Sequence, residues 1–268
     1  MAGLFEKGLQ YNTIAGYRSA ISAYHDHISG VPVGKVEEVT LLLKGIFNKR
    51  PTQPRFNFIW DVEVVIRFIV SMQDNHLLDD KILTKKLTVL LALTSVARAH
   101  EICYLDIGLM SKHSSGYTFQ FGKITKTTKE RRPRPPIKFT KFLEDPKLCV
   151  CECIDTYLER SKPWRGNNQQ LLLSFISPHN PISPKTVSRW ITDFLKMAGI
   201  DTTHFTAHST RSAASSKAKS MGASTSEILK RGHWSKESTF QKYYGKEILG
   251  DAHIQSRILA SKSFEERS

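Results

Sequence analysis

Long apolar runs are missing from this 268-residue chain. None approaches the roughly 20 residues needed to span a bilayer. The opening MAGLFEKGLQYN lacks the apolar stretch of a secretory leader, so the expectation is a soluble protein in a compartment that contains nucleic acid. Cysteine is scarce: Cys103, Cys149, Cys151 and Cys153 are too few to staple a chain of this length. The run CVCEC has neither the CxxC pairs nor the following histidine pair of a zinc site. These thiols therefore read as structural or incidental, and the 10 scattered histidines add no metal site. Internal repeats and low-complexity blocks are absent. Acidic residues are also short, with 25 Asp and Glu against 39 Lys and Arg, a formal net charge of +14. Such an excess draws a protein to polyanions, either nucleic acid or an anionic membrane surface.

What is present is ordinary globular composition, 40% hydrophobic and 24% charged. Ile14, Tyr17, Ile21, Tyr24 and Ile28 recur at helical spacing between Thr13 and Ile28, and a second helical stretch runs from Val36 to Phe47. The segment KRPTQPRFNF then carries two prolines, which stiffen a linker and stop helices on either side. We expect residues 1–52 to be a small helical piece of a larger domain, 53–250 the main domain, and 251–268 a tail. Asp61 is placed to cap a helix with Val62, Val65, Ile66, Ile69 and Met72 facing inward. A leucine-rich helix over Asp80–Ser95 and a short one from Arg98 to Leu105 follow. YTFQFGKI and PPIKF read as two strands around a basic tip, TKTTKERRPR. LCVCECIDTYLERSK reads as a helix, and LLLSF is apolar but ambiguous in type. Ser183, Pro184 and Gly199 bracket a clear helix over Pro184–Ala198. Further helices are expected from His208 to Met221, around Glu227 and around Phe240. The fold class is mainly α with a small antiparallel β-sheet (α+β).

Four places carry side chains suited to phosphate chemistry. HSTR puts His208 and Arg211 three apart at a helix start, where free N–H groups favour an anion. A capping histidine and a salt-bridged arginine would look the same. Arg98 lies among apolar residues and needs a partner; Glu101 can supply one and aim its guanidinium, either as a plain ion pair or in a site. Lys126 stands on the basic tip with Lys123, Lys129, Arg131, Arg132 and Arg134. These can be solvated charge, DNA-backbone contacts, or in one case a proton donor. LKRGHWSKESTFQKYYGK gathers His233, Trp234, Tyr243 and Tyr244, which could equally be core aromatics.

The order of these motifs resembles the tyrosine recombinases, the phage integrases and their relatives. R-x-x-E opens a helix, a lysine sits on a β-hairpin, and H-x-x-R, a Gly-His or Gly-Trp step and a tyrosine follow. The texts YNTIAGYRSAISAYHD, KGIFNKRPTQPRF, LLALTSVARAHEI, AHSTRSAASSKAKSMG and WSKESTFQKYY look closest to recombinases of DIRS-like and related eukaryotic mobile elements. The resemblance implies that the chain cuts and rejoins DNA through a 3′-phosphotyrosyl link, without cofactor, metal, ATP or small-molecule substrate. Arg98 and Arg211 would clamp the phosphate, Lys126 would be the general acid, with Lys123 and Lys129 close enough to compete, and His208 would stand beside the phosphate. Either His233 or Trp234 would fill the step before the tyrosine. The mobile-element pattern favours Tyr244 as nucleophile, while counting from Trp234 favours Tyr243. Residues 1–52 would be the end of a DNA-clasping core-binding domain, with Arg18 on its polar side. The resemblance also implies a homo-tetramer on double-stranded DNA, monomeric when free, and a nuclear location for a eukaryotic mobile element or a cytoplasmic one otherwise. Two competing readings are a domesticated recombinase that binds DNA without cutting it, and a basic helical protein for RNA or anionic lipid.

Overall fold

The computed structural model describes residues 1–52, 58–123, 130, 135–234 and 237–248, leaving out the side chains of residues 239, 242 and 243. The chain divides into two compact units, Met1–Phe56 and Asn57–Ser268. The first holds α1 (Ala2–Glu6), α2 (Tyr11–Tyr24) and α3 (Glu37–Lys49). Its core is Ile14, Leu43 and Ile46. Of the apolar residues that recur at helical spacing from Ile14 to Ile28, only Ile14 is buried; Tyr17, Ile21, Tyr24 and Ile28 are exposed, and α2 ends at Tyr24. A unit this small has too little interior to cover a second row of side chains.

The second unit begins with β1 (Phe58–Ile59), α4 (Val62–Ser71), α5 (Asp80–Ser95) and α6 (Ala99–Cys103). Three strands follow, β2 (Met110–His113), β3 (Gly116–Phe119) and β4 (Ile137–Thr140). Then come α7 (Val150–Arg165), α8 (Pro184–Met197), α9 (Ser209–Ser220), α10 (Thr225–Gly232), α11 (Glu237–Tyr243) and β5 (Glu247–Ile248). Caps fix several starts: Asp61 accepts from Glu63 N at 3.0 Å, and Asp79 from Ile82 N at 2.8 Å. Ser183 accepts from Thr186 N, with Pro184 at the first helical position. None of the described helices is long and apolar enough to cross a membrane.

Helix α5 is the axis of this unit, packing against α7, α8 and α9. It is buried almost all round, from Leu83 to Ala92, as befits a helix at the centre of a large core rather than on its surface. Its polar residues are accommodated individually. Thr88 bonds back to Thr84 O at 2.7 Å, and Lys85 reaches Asp193 at 2.7 Å. Lys86 Nζ is fully buried and has no hydrogen-bond partner among the described residues. Burial lowers its pKa. All four cysteines are buried free thiols, and burial pushes Cys151 up to about 11 and Cys153 up to about 12.

The sheet exceeds the two strands expected. It runs β2-β3-β4, antiparallel, with Phe119 opposite Ile137 and Tyr117 opposite Phe139. The added strand, MSKH, is mostly exposed, so it lacks the alternation that betrays a strand. At Gly116, with φ of 142°, a Cβ would lie 2.0 Å from Phe139 O, so only glycine fits. A parallel pair joins β1 to β5. In LLLSF, Leu171, Leu172 and Leu173 are buried without a regular strand, bridged singly through Leu173 to Pro181.

Candidate active site

The site starts where α5 ends. Val96 turns the chain with φ of 54°, an uncommon conformation for a β-branched residue. Arg98 follows as the cap of α6. Glu101, in the first turn of α6, is fully buried and takes the Arg98 N–H on Oε2 at 2.7 Å and Arg98 Nη1 on Oε1 at 3.0 Å. Its Oε2 also stands 3.9 Å from Arg211 Nη1. One carboxylate thus lies against two guanidinium groups from α6 and α9. A buried acid needs such pairing, and the trio retains an excess positive charge suited to an anion.

Arg211 is 2% exposed. Its Nη2 donates to Gly232 O at 2.9 Å, and its guanidinium carbon lies 4.5 Å from the Trp234 ring centre and 5.3 Å from that of Tyr244. Cation–π contacts of this kind stabilise a desolvated guanidinium by about 0.5–2 kcal/mol each. His208 sits at the cap position of α9, and its Nε2 is 3.3 Å from the Tyr244 hydroxyl. The α9 start is tied down from β1's side, where Trp60 Nε1 donates to Ser209 Oγ at 2.8 Å. Arg98, His208 and Arg211 open into a cleft of about 70 Å³, which Ser188 also lines, on walls of alanine.

The aromatic wall comes from α10 and α11. A Ser224–Glu227 capping box starts α10, and Arg231 ties it to α5 by donating to Thr94 O at 2.6 and 3.0 Å. His233 ends α10 in the left-handed region, φ 54°. The next residue, Trp234, packs on Tyr244 at 4.6 Å and on Phe240 at 5.4 Å between ring centres. A Cβ at Gly232 would meet the Trp234 ring at 2.0 Å. Glycine is therefore what lets the indole lie where it meets Arg211.

The structure brings together Arg98, Glu101, His208, Arg211, Trp234 and Tyr244. Tyr243 is the last residue of α11, and its side chain falls outside the described residues, as do Lys126, Lys129, Arg131, Arg132 and Arg134. Lys123 is exposed and leans over the Tyr104 ring at 5.2 Å, just past the end of α6. In the first unit, Arg18 Nη1 donates to Gly34 O at 2.9 Å and holds a loop. Sequence reasoning did not single out Trp60, Arg231 or Val96, whose partners lie far away in the chain or on a backbone turn with no glycine to mark it.

The family described as "Phage integrase family" matches residues 65–248. No curated protein matches the chain. Among solved structures, the chain is similar to the XerA recombinase at 17% identity, covering 95% of this chain and 83% of that one, with a TM-score of 0.54. It is similar to the Tn1549 transposon integrase in complex with circular intermediate DNA at 13% identity, covering 97% and 81%, with a TM-score of 0.56. The XerH recombinase bound to its difH substrate matches at 11% identity, covering 98% and 72%, with a TM-score of 0.53. At these identities the likeness establishes the fold.

Proposed function

The chain belongs to the phage integrase family, the tyrosine recombinases, and on that premise we propose that it cuts and rejoins DNA strands through a 3′-phosphotyrosyl intermediate. One observation carries the reading: Glu101 lies against both Arg98 and Arg211, while the Tyr244 ring lies against Arg211 with its hydroxyl in hydrogen-bond reach of His208.

A phosphodiester repels nucleophiles, and in-line displacement piles charge on its non-bridging oxygens. Arg98 and Arg211 would supply fixed donors to that charge, and a planar guanidinium holds two oxygens at once. Tyr244 Oη would form the bond to phosphorus and the bond to the 5′-oxygen would break. His208 is within reach of the phenolic proton. The leaving oxygen would take a proton from Lys126, or from Lys123 or Lys129. A phenolate is itself a fair leaving group, so a different 5′-hydroxyl can reverse the step and seal a new strand. Of His233 and Trp234, we assign the step before the tyrosine to Trp234, a choice supported by its ring lying 4.5 Å from the Arg211 guanidinium.

Double-stranded DNA is the proposed partner, held largely through its phosphates by the +14 chain. The basic tip and Arg18 are proposed contacts. We also read residues 1–52 as the end of a core-binding domain, 53–250 as the catalytic domain, and the active assembly as a tetramer on DNA. A DIRS-like mobile-element origin with nuclear action rests on the sequence motifs alone.

The test is a library of nicked duplexes with randomised arms, on which strand cleavage traps the enzyme. Wild-type protein should leave an adduct that survives denaturation. Tyr244→Phe should abolish it and Tyr243→Phe only weaken it; the reverse pattern moves the nucleophile to Tyr243. DNA binding without any adduct would identify a domesticated binding domain instead.

A further inference from the structure

The turn that carries Tyr244 is fastened by a side chain the reaction itself does not use. Tyr244 follows the end of α11, its N–H donating to Phe240 O at 2.8 Å. The chain then turns sharply, with Lys246 N–H to Tyr244 O at 3.0 Å, before β5 pairs with β1. Ser216 reaches into this turn from α9. Its hydroxyl donates to the Tyr244 carbonyl at 3.0 Å and accepts the Lys246 N–H at 3.1 Å. Ser216 is 5% exposed, so solvent is poorly placed to replace either bond. The same helix carries Arg211 and starts at His208.

We propose that Ser216 is a positioning residue for the tyrosine nucleophile, setting where the phenol stands relative to His208 and the clamped phosphate. The proposal rests on the reading of Tyr244 given above. Trp234 packs on the Tyr244 ring at an interplanar angle of 45°, yet a non-directional ring contact resists sliding weakly. The phenolic oxygen also sits at the end of a long rigid side chain, which magnifies any rotation of its peptide plane. The Ser216 hydroxyl holds that plane from both sides of the turn. Misplacing a reacting atom by about 1 Å can cost on the order of a hundredfold in rate. Alanine would leave the Tyr244 carbonyl and the Lys246 N–H only their bond to each other, threonine would keep the hydroxyl, and cysteine is a weaker donor of similar size.

The experiment measures single-turnover adduct formation on the nicked duplexes, with affinity for the same DNA measured in parallel. Ser216→Ala should slow adduct formation roughly ten- to a hundredfold with Kd held within about twofold, the pattern of a group that acts on the chemical step. Ser216→Thr should restore most of the rate, and Ser216→Cys should fall between. The loss should persist on a 5′-bridging phosphorothiolate, whose sulfur leaves without a proton, which separates a misplaced nucleophile from a weakened general acid. An unchanged rate in Ser216→Ala, with wild type forming adduct, overturns the inference and leaves the proposed function standing. A parallel loss of rate and DNA affinity also overturns it, because that marks a serine with a structural role only. If Ser216→Ala fails to fold, Ser216→Cys decides by the same criteria. Wild type that forms no adduct removes the proposed function itself, and the inference with it.

Discussion

At the charged side of the site Arg98, Glu101 and Arg211 are held by charge; at the aromatic side, against Arg211, Trp234, Phe240 and Tyr244 are held by ring packing and a fastened turn. The charged side is organised before any ligand arrives, since Glu101 is fully buried and touches both guanidinium groups. The aromatic side depends on shape, on a glycine that gives the indole room and a left-handed residue that aims it. A charge-held group therefore tolerates no neutral replacement, whereas a shape-held group should respond to small changes of volume.

The largest effects belong to the charged side. Arg98→Ala and Arg211→Ala should each lower the adduct-forming rate by about a hundred- to a thousandfold. Arg98→Lys should recover little of this, because an ammonium cannot reproduce the fork. Single-turnover cleavage of the nicked duplexes measures both, and a loss below tenfold would argue that the arginines are merely salt-bridged. Gly232→Ala bridges the two sides, since its carbonyl binds Arg211 and its Cα abuts Trp234. We expect roughly a tenfold to hundredfold loss in rate, as for a misplaced reacting group, with a change in tryptophan fluorescence. A rate equal to wild type would show that the indole's position does not matter.

The smallest effect on activity lies away from both sides. Lys86→Met should leave the cleavage rate unchanged and raise stability by about 1–3 kcal/mol, because a buried unsatisfied group is removed. The sign with pH follows from the lowered pKa. Between that value and 10.5 the unfolded chain binds more protons, so wild-type stability should climb with pH while the Met variant's stays flatter. Urea denaturation at several pH values checks both statements.

Much of the second unit was legible because its signals are local. Asp61, Ser183 and Pro184 mark helix starts, and the leucine run over Asp80–Ser95 is the buried helix the structure contains. What stayed hidden depends on distant partners. The two-residue pairing of β1 with β5 joins chain segments on either side of the whole unit and leaves no periodicity to read. Strand β2 is too polar to alternate. At the site, the order of Arg98, Glu101, His208, Arg211 and Tyr244 was readable, and Glu101 does aim Arg98 as its spacing implied. Its approach to Arg211 was not, since that partner lies 110 positions further along the chain, on another helix. Ser216 had no signal at all, one serine within the run STRSAASSKAKS.

A tyrosine recombinase is defined by the atom that becomes bonded to phosphorus. Trapped adduct from wild-type protein can be digested with protease and nuclease, and the peptide carrying a residual 3′-nucleotide sequenced by mass spectrometry. The modified residue should be Tyr244, and Arg211→Ala should yield almost none of that peptide. A nucleotide on Tyr243 or on any other side chain, or an Arg211→Ala yield equal to wild type, would contradict it.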